Sequence, residues 1–262
     1  MRNLSNTGRI FYGISLIGTG MPAIYFNAYP YYLLPPLHFL TPGASILHYI
    51  TGAIFIFVGV YIVFNKKIRT VSFLFGCLLL LIFCFLYIPY QFMGNPNHLQ
   101  LAEWENAEKE LSLVAGAFII AACFSDEIEN SFNRFGGRFM TLGSILYAIP
   151  IISFSILHFK FAKDVSTMVP AWIPYPIFWT YLAGIGLLGS GISIILKIKT
   201  RLIVTTLGII ILIWFITIHV PGVMTSSFAD LEDQITSAFL ALAYSGIAFV
   251  IAGAGKADVN KA

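Results

Sequence analysis

Eight apolar runs follow one another along this 262-residue chain. A helix of about 20 mostly apolar residues is needed to cross the roughly 30 Å hydrocarbon core of a bilayer. Only 10% of the residues are charged, too few to give so many apolar runs a solvated surface. The sequence therefore predicts an all-α, polytopic integral membrane protein. The eight predicted spans are residues 10–28, 44–64, 70–90, 110–124, 139–159, 176–196, 202–222 and 237–254.

The fourth predicted span is the shortest, and its outer turn has to come from the charged stretch Glu103–Glu110. A second acidic group, between Asp230 and Asp233, precedes the eighth span. Both groups are expected on the first turns of their helices, where the helix dipole favours negative charge. A cation-binding rim is the alternative interpretation.

Two short turns give the predicted bundle a direction, because residues 65–69 and 197–201 each carry three basic side chains. Lys and Arg in short loops favour the cytoplasmic side of a membrane. These turns and both termini are therefore expected in the cytoplasm. The connections expected outside are residues 29–43, 91–109, 160–175 and 223–236.

The chain also repeats itself, with one shift of 132 residues aligning its two halves through two helices and a basic turn. The shared positions predict two parallel four-helix repeats, because each half has an even number of spans. Residues 1–125 form the first repeat, 126–136 a cytoplasmic linker and 137–262 the second repeat. In the first helices, Gly8-Arg9 corresponds to Gly137-Arg138. The aligned pairs are Gly52 with Gly184, Gly59 with Gly191, Gly76 with Gly208, and Pro89 with Pro221.

Glycines seven residues apart mark one face of the second helix in each predicted repeat. Small residues let helix backbones approach closely where lipid supplies no hydrophobic drive for association. The second repeat has two further glycines, which are expected to extend the same packing stripe. Their GxGxxG spacing indicates no nucleotide site, because it lies inside an apolar span with no preceding strand. The stripe is Gly184, Gly186, Gly189 and Gly191.

All five histidines fall in the outer half of the predicted topology: His38, His48, His98, His158 and His219. Neutral imidazole binds metals and haem and can form a hydrogen bond with a quinone. His48, His158 and His219 lie at helix ends near one membrane face and form the candidate ligand site. A polar cap at a helix end, or an interfacial ring, is the alternative role for each. No HxxxH or HExxH spacing occurs, so no metal site is predicted.

His219 takes the place of Tyr87 in the repeat, and both lie two residues before a proline. Aromatic residues gather nearby, at the outer start of the sixth span, and include Trp172, Trp179 and Tyr181. They are expected either to belong to an interfacial aromatic belt or to form a flat pocket for a planar, lipid-soluble ligand.

The stretch Val169-Pro170-Ala171-Trp172-Ile173-Pro174, preceded by His158-Phe159, is followed by Trp179-Thr180-Tyr181-Leu182-Ala183-Gly184. This pattern resembles the signature of the DoxX-like bacterial membrane proteins, across about 139–254. The first half matches through Leu34-Pro35-Pro36 and Pro42 and has no tryptophan there. The resemblance implies a four-helix unit in the bacterial cytoplasmic membrane, here fused as a pair. Some relatives are subunits of quinone-linked oxidation systems.

Three functions follow from these features. The first is a redox-associated membrane subunit that binds quinone, with haem as the alternative cofactor, near the outer face. It would serve a membrane or exported redox partner, alone or as an oligomer. The second is a non-catalytic scaffold or assembly partner, and the third is a transporter of small molecules. No catalytic residue is identified, and the scattered net charge of +3 indicates no nucleic-acid partner.

Overall fold

The computed structural model describes residues 2–30, 32–35, 45–125 and 136–254, and within these ranges the chain is helical, without a strand. His38, nearly all of the predicted linker and residues 255–262 lie outside them. Each predicted span falls on a helix. The α-helices are α1 (Arg2–Tyr25), α2 (Ser45–Val63), α3 (Ile68–Ile82), α4 (Glu105–Cys123), α5 (Gly136–Lys160), α6 (Ala162–Ser166), α7 (Pro176–Leu196), α8 (Thr200–Trp214), α9 (Val220–Thr225) and α10 (Leu231–Ala254).

Six of the described helical stretches are long and apolar enough to cross a membrane, which indicates a multi-pass membrane protein. α1 and α4 are not among them. α4 begins with four charged residues in its first six, Glu105, Glu108, Lys109 and Glu110, so it has few apolar residues to spare. The six stretches are Ile46–Val63, Ile68–Gly94, Gly136–Lys160, Pro176–Leu196, Thr200–Thr225 and Leu231–Ala254.

Two of the long helices change to π-helical geometry in their last third. α3 continues into the π-helical segment Phe83–Tyr87, and α8 continues into Phe215–His219. A π turn takes in one extra residue and is common at functional sites. The basic turns before α3 and α8 correspond in the same way, because Lys67 and Lys199 both adopt left-handed backbone angles, with φ of 42° and 45°.

α4 and α10 lie at the centre of the bundle and contact each other. α1 packs between α2 and α10, while α5 packs between α7 and α4. α3 covers α4, and α8 covers α10. Buried tyrosines join these layers: the Tyr12 hydroxyl donates to the Leu113 carbonyl oxygen at 2.6 Å, and the Tyr147 hydroxyl donates to that of Tyr244 at 2.8 Å.

Glycines set the closest helix contacts, as predicted for the second helix of each half. A Cβ atom on Gly52 would lie 2.7 Å from the carbonyl oxygen of Gly20, so α1 and α2 touch through their backbones. On α7, a Cβ on Gly191 would overlap the side chain of Ile152, and one on Gly184 would lie 3.2 Å from Cβ of His158. These glycines are packing positions.

One end of the bundle, here called the basic end, carries Arg9, Lys67 and Lys199. Arg9 is 9% exposed, and its guanidinium donates to the carbonyl oxygens of Ile62 and Val63, the last two residues of α2. Among the described residues, the Val63 carbonyl oxygen has no backbone donor, whereas that of Ile62 also accepts from the Asn65 N–H at 3.3 Å, so Arg9 completes the C-terminal end of α2. The last turn of α10 contacts the first turn of α1 at this same end.

Replacing Arg9 by methionine is expected to destabilise the protein by about 1–3 kcal/mol, because buried carbonyl groups then lose their donor. Thermal unfolding of the purified protein, followed by circular dichroism, measures the change. Arg201 is exposed at the same end. The matched change Arg201→Met should leave the melting temperature nearly unaltered, and an equal loss in both variants would contradict the capping role.

Candidate functional site

A cavity of about 1110 Å³ runs along α5, α7 and α8, from Leu202 near the basic end to His158 and His219 at the opposite end. The loop 165–174 covers part of it. Its wall follows α8 from Leu202 to His219, a length of roughly 25 Å at about 1.5 Å per residue. The cavity is therefore long enough for an extended apolar chain below a ring-sized head.

Two glycines give the cavity its width. Gly186 and Gly189 line it, and a Cβ atom at either would meet nothing within 4 Å. The predicted packing role is therefore wrong for these two glycines and confirmed for Gly184 and Gly191. The reason is helical geometry: at 3.6 residues per turn, positions 186 and 189 face away from the side shared by 184 and 191.

Most hydroxyl groups of the cavity wall are already used by their own helices. Thr180 donates to the Pro176 carbonyl oxygen at 3.1 Å, and Ser190 donates to that of Gly186 at 2.7 Å. Thr206 and Thr217 donate four residues back in the same way. The wall is otherwise mainly apolar, so recognition of a polar ligand group depends on the imidazoles and on the indole N–H groups of Trp172 and Trp214.

His158 lies on the last turns of α5, where its Nδ1 is 2.7 Å from the carbonyl oxygen of Phe154. This bond fixes the orientation of the ring. The indole ring of Trp214, on α8, lies nearly parallel to it, with 6.4 Å between centroids and 19° between planes. His158 and Trp214 thus form a flat aromatic face inside the cavity.

His219 lines the same cavity and is the last residue of the π-helical segment Phe215–His219, which follows α8. Its ring has no hydrogen bond to any residue that the structure describes. Tyr87 holds the corresponding place in the other half, but its hydroxyl is buried and donates to the Tyr32 carbonyl oxygen at 2.6 Å. The imidazole is therefore free for a ligand where the tyrosine is occupied within the fold.

The charged part of the cavity wall is a single ion pair on the first turns of α4. Lys109 Nζ lies 2.6 Å from Glu105 Oε1, one helical turn away. The two charges compensate each other. They mark the polar rim of the cavity and leave its interior neutral.

Four of the six predicted site residues line this cavity: His158, His219, Trp172 and Trp179. Trp172 is 74% exposed at the entrance, while the Trp179 indole Nε1–H donates to the Pro174 carbonyl oxygen at 3.0 Å.

Tyr181 and His48 are not part of the cavity wall. The Tyr181 ring stacks on Phe159, with 6.0 Å between centroids, on another face of α7. His48 is on α2 and meets Tyr29 edge-on at 4.0 Å. α2 packs on α1 and α3, away from the helices of the cavity, so His48 does not join the other two histidines.

Sequence reasoning missed Trp214, which lies five residues before His219. In an α-helix, residues five apart point in different directions, whereas the i→i+5 bonding of a π turn brings them closer to one side. The sequence carried no signal for the π turn itself. The glycine spacing, by contrast, did hold the information that Gly186 and Gly189 face a separate side.

Among the described residues, no group of three His, Cys, Asp or Glu side chains is placed to hold a metal ion. No known protein family, curated protein or solved structure matches the chain.

Proposed function

We propose that this chain is a DoxX-like protein of the bacterial cytoplasmic membrane, with both termini inside, that holds a quinone-class ligand near the outer face. It would serve as the membrane subunit of a redox partner. The observation that carries the proposal is the cavity itself: it is long and apolar, and its unused polar groups include the imidazoles of His158 and His219, beside the ring of Trp214.

The proposal includes eight spans. α1 and α4 have 24 and 19 residues, enough to cross the same thickness as their neighbours. α1 runs alongside α2 and α10, and α4 lies beside α10 at the centre. The charges of α4 are compatible with this position because α4 is mostly buried among other helices and little exposed to lipid.

Duplication of a four-helix unit is also part of the proposal, and the helix contacts support it. α1 packs on α10, and α5 packs on α4, so the first helix of each half meets the last helix of the other. The π-helical segments Phe83–Tyr87 and Phe215–His219 and the left-handed turn residues recur at the shift of 132 residues, although a further π-helical segment, Tyr90–Gly94, corresponds to the α-helix α9. These correspondences extend the aligned glycines and prolines of the sequence.

The first helices align differently from the sequence prediction of Arg9 with Arg138. Tyr12 and Tyr147 make the same hydrogen bond to the last helix of their own half. The contact of Gly8 with the Gly246 backbone likewise corresponds to that of Gly143 with the Ala115 carbonyl oxygen. The packing contacts therefore align α1 with α5 at a shift six residues larger than the shift between the two glycine–arginine dipeptides.

Filling the cavity with a larger side chain should weaken ligand binding. In Gly189→Leu, the new side chain enters open space in the cavity, so we expect a folded protein with at least about tenfold weaker affinity, since the tail loses its apolar contacts. Titration with decylubiquinone, read by quenching of tryptophan fluorescence, measures the affinity. Gly137→Leu is the matched control, because a Cβ there also meets nothing within 4 Å and lies outside the cavity.

Extraction of the purified wild-type protein identifies what it carries. Quinone among the extracted lipids supports the proposal, and a Soret band in the visible spectrum would assign haem instead. Failure of the wild-type protein to bind either decylubiquinone or its reduced form, decylubiquinol, together with the absence of extracted quinone, would sink the proposal and favour a scaffold for an exported partner.

A further inference from the structure

We propose that His158 gives one end of the cavity a hydrogen-bond acceptor, so that this end selects ligands that donate from a hydroxyl group, such as a quinol or another phenol. This inference rests on the proposed function, since it specifies the ligand of the same cavity. The acceptor is Nε2 of His158.

The backbone decides which nitrogen of His158 carries the proton. A carbonyl oxygen can only accept a hydrogen bond, so the 2.7 Å contact with Phe154 requires a hydrogen on Nδ1. A neutral imidazole has one N–H group, which is then used within α5. Nε2 is left with a lone pair and can accept but cannot donate.

The surroundings favour the neutral imidazole. The cavity wall is largely apolar, and its one carboxylate, Glu105, is paired with Lys109 at 2.6 Å. A charged imidazolium would therefore lie in an apolar cavity without a counter-ion of its own, which is costly. Trp214 stacks on the ring and adds no acceptor, because an indole has only a donor.

A ligand for this position must therefore bring its own donor. A quinone offers carbonyl oxygens, which would face the Nε2 lone pair without a hydrogen between them. A quinol or another phenol offers O–H groups. The hydroxyls of Thr180, Ser190 and Thr217 are occupied by their own helices, so they do not compensate a ligand that lacks a donor.

A pair of redox-inert ligands separates this inference from the proposed function. 4-Nonylphenol and its methyl ether, 4-nonylanisole, have the same ring and tail and differ in the O–H donor. Both are titrated into the protein in phosphatidylcholine nanodiscs, with tryptophan fluorescence as the readout. We expect the phenol to bind about tenfold more tightly or better, because the ether leaves Nε2 unpaired.

Three variants assign the acceptor. His158→Phe should abolish the preference for the phenol, while His158→Gln, which puts an amide oxygen near the place of Nε2, should restore part of it. His219→Phe should retain the preference. The wild-type comparison decides the inference even where a variant fails to fold.

Equal affinities for phenol and ether, or tighter binding of the ether, would overturn the inference while leaving the cavity as a ligand site. A preference that survives in a folded His158→Phe protein would overturn the role of His158. Binding of neither compound would count against the proposed function and the inference together.

Discussion

Replacing Gly246 by leucine is expected to destabilise the protein by about 3 kcal/mol or more, since it forces α1 and α10 apart. A Cβ atom on Gly246 would lie 2.6 Å from the carbonyl oxygen of Gly8 and 2.9 Å from the backbone nitrogen of Tyr12. Both neighbours are backbone atoms of α1, which cannot move aside as a flexible side chain can. The whole α1–α10 contact has to open.

Thermal unfolding in detergent, followed by the helical circular dichroism signal, measures this loss. Gly137→Leu is the control, because its added side chain meets no atom within 4 Å at the position of Cβ. We expect that control to melt close to the wild type. A Gly246→Leu protein that melts at the wild-type temperature would show that the two backbones are not in contact.

Glu110→Met is expected to have the opposite effect and to stabilise the protein by about 1–3 kcal/mol. Glu110 on α4 has no exposed surface, and neither carboxylate oxygen has a hydrogen-bond partner among the described residues. Burial of a polar group without a partner costs free energy, which an apolar side chain of similar length avoids.

The same unfolding measurement tests this gain. Glu105→Met is the control on the same helix: the Glu105 side chain is 45% exposed, and its partner Lys109 keeps a hydrogen bond to Asn106 Oδ1 at 3.2 Å. A pair one helical turn apart contributes only about 0.2–0.5 kcal/mol, so this change should shift the melting temperature only slightly. A clear loss of stability in Glu110→Met would instead show that the buried carboxyl makes a favourable interaction.

Much of the helical fold could be predicted because lipid sets the length of each apolar run. The sixth span was predicted at 176–196, and α7 covers that same range because Tyr175 and Lys197, at its two ends, adopt left-handed angles. α4 was harder. Its acids were assigned to a capping turn, and Glu105 and Glu108 do lie there, but Glu110 lies deeper. Sequence pattern alone does not show that a helix will be surrounded by others.

The site was predictable in part. The sequence predicts His158, His219, Trp172 and Trp179 near one membrane face, and the fold brings all four to one cavity. His48 is predicted at that face as well, but α2 packs on α1 and α3 and not on the helices of the cavity. Depth in the membrane follows from position along a span, whereas the neighbours of a helix follow from packing, which the sequence states only indirectly.

The contacts of α1 with α10, and of α5 with α4, have a consequence for the evolution of such chains. A polypeptide with only one of the halves would leave the glycine face of its first helix without a partner. A second copy could supply that partner through the same contact. If the chain arose by the proposed duplication, a single-unit ancestor would have been an obligate homodimer, and fusion of two copies would have turned an intermolecular interface into an intramolecular one. Such a fused chain would have been free to keep Tyr87 in one copy and acquire His219 in the other.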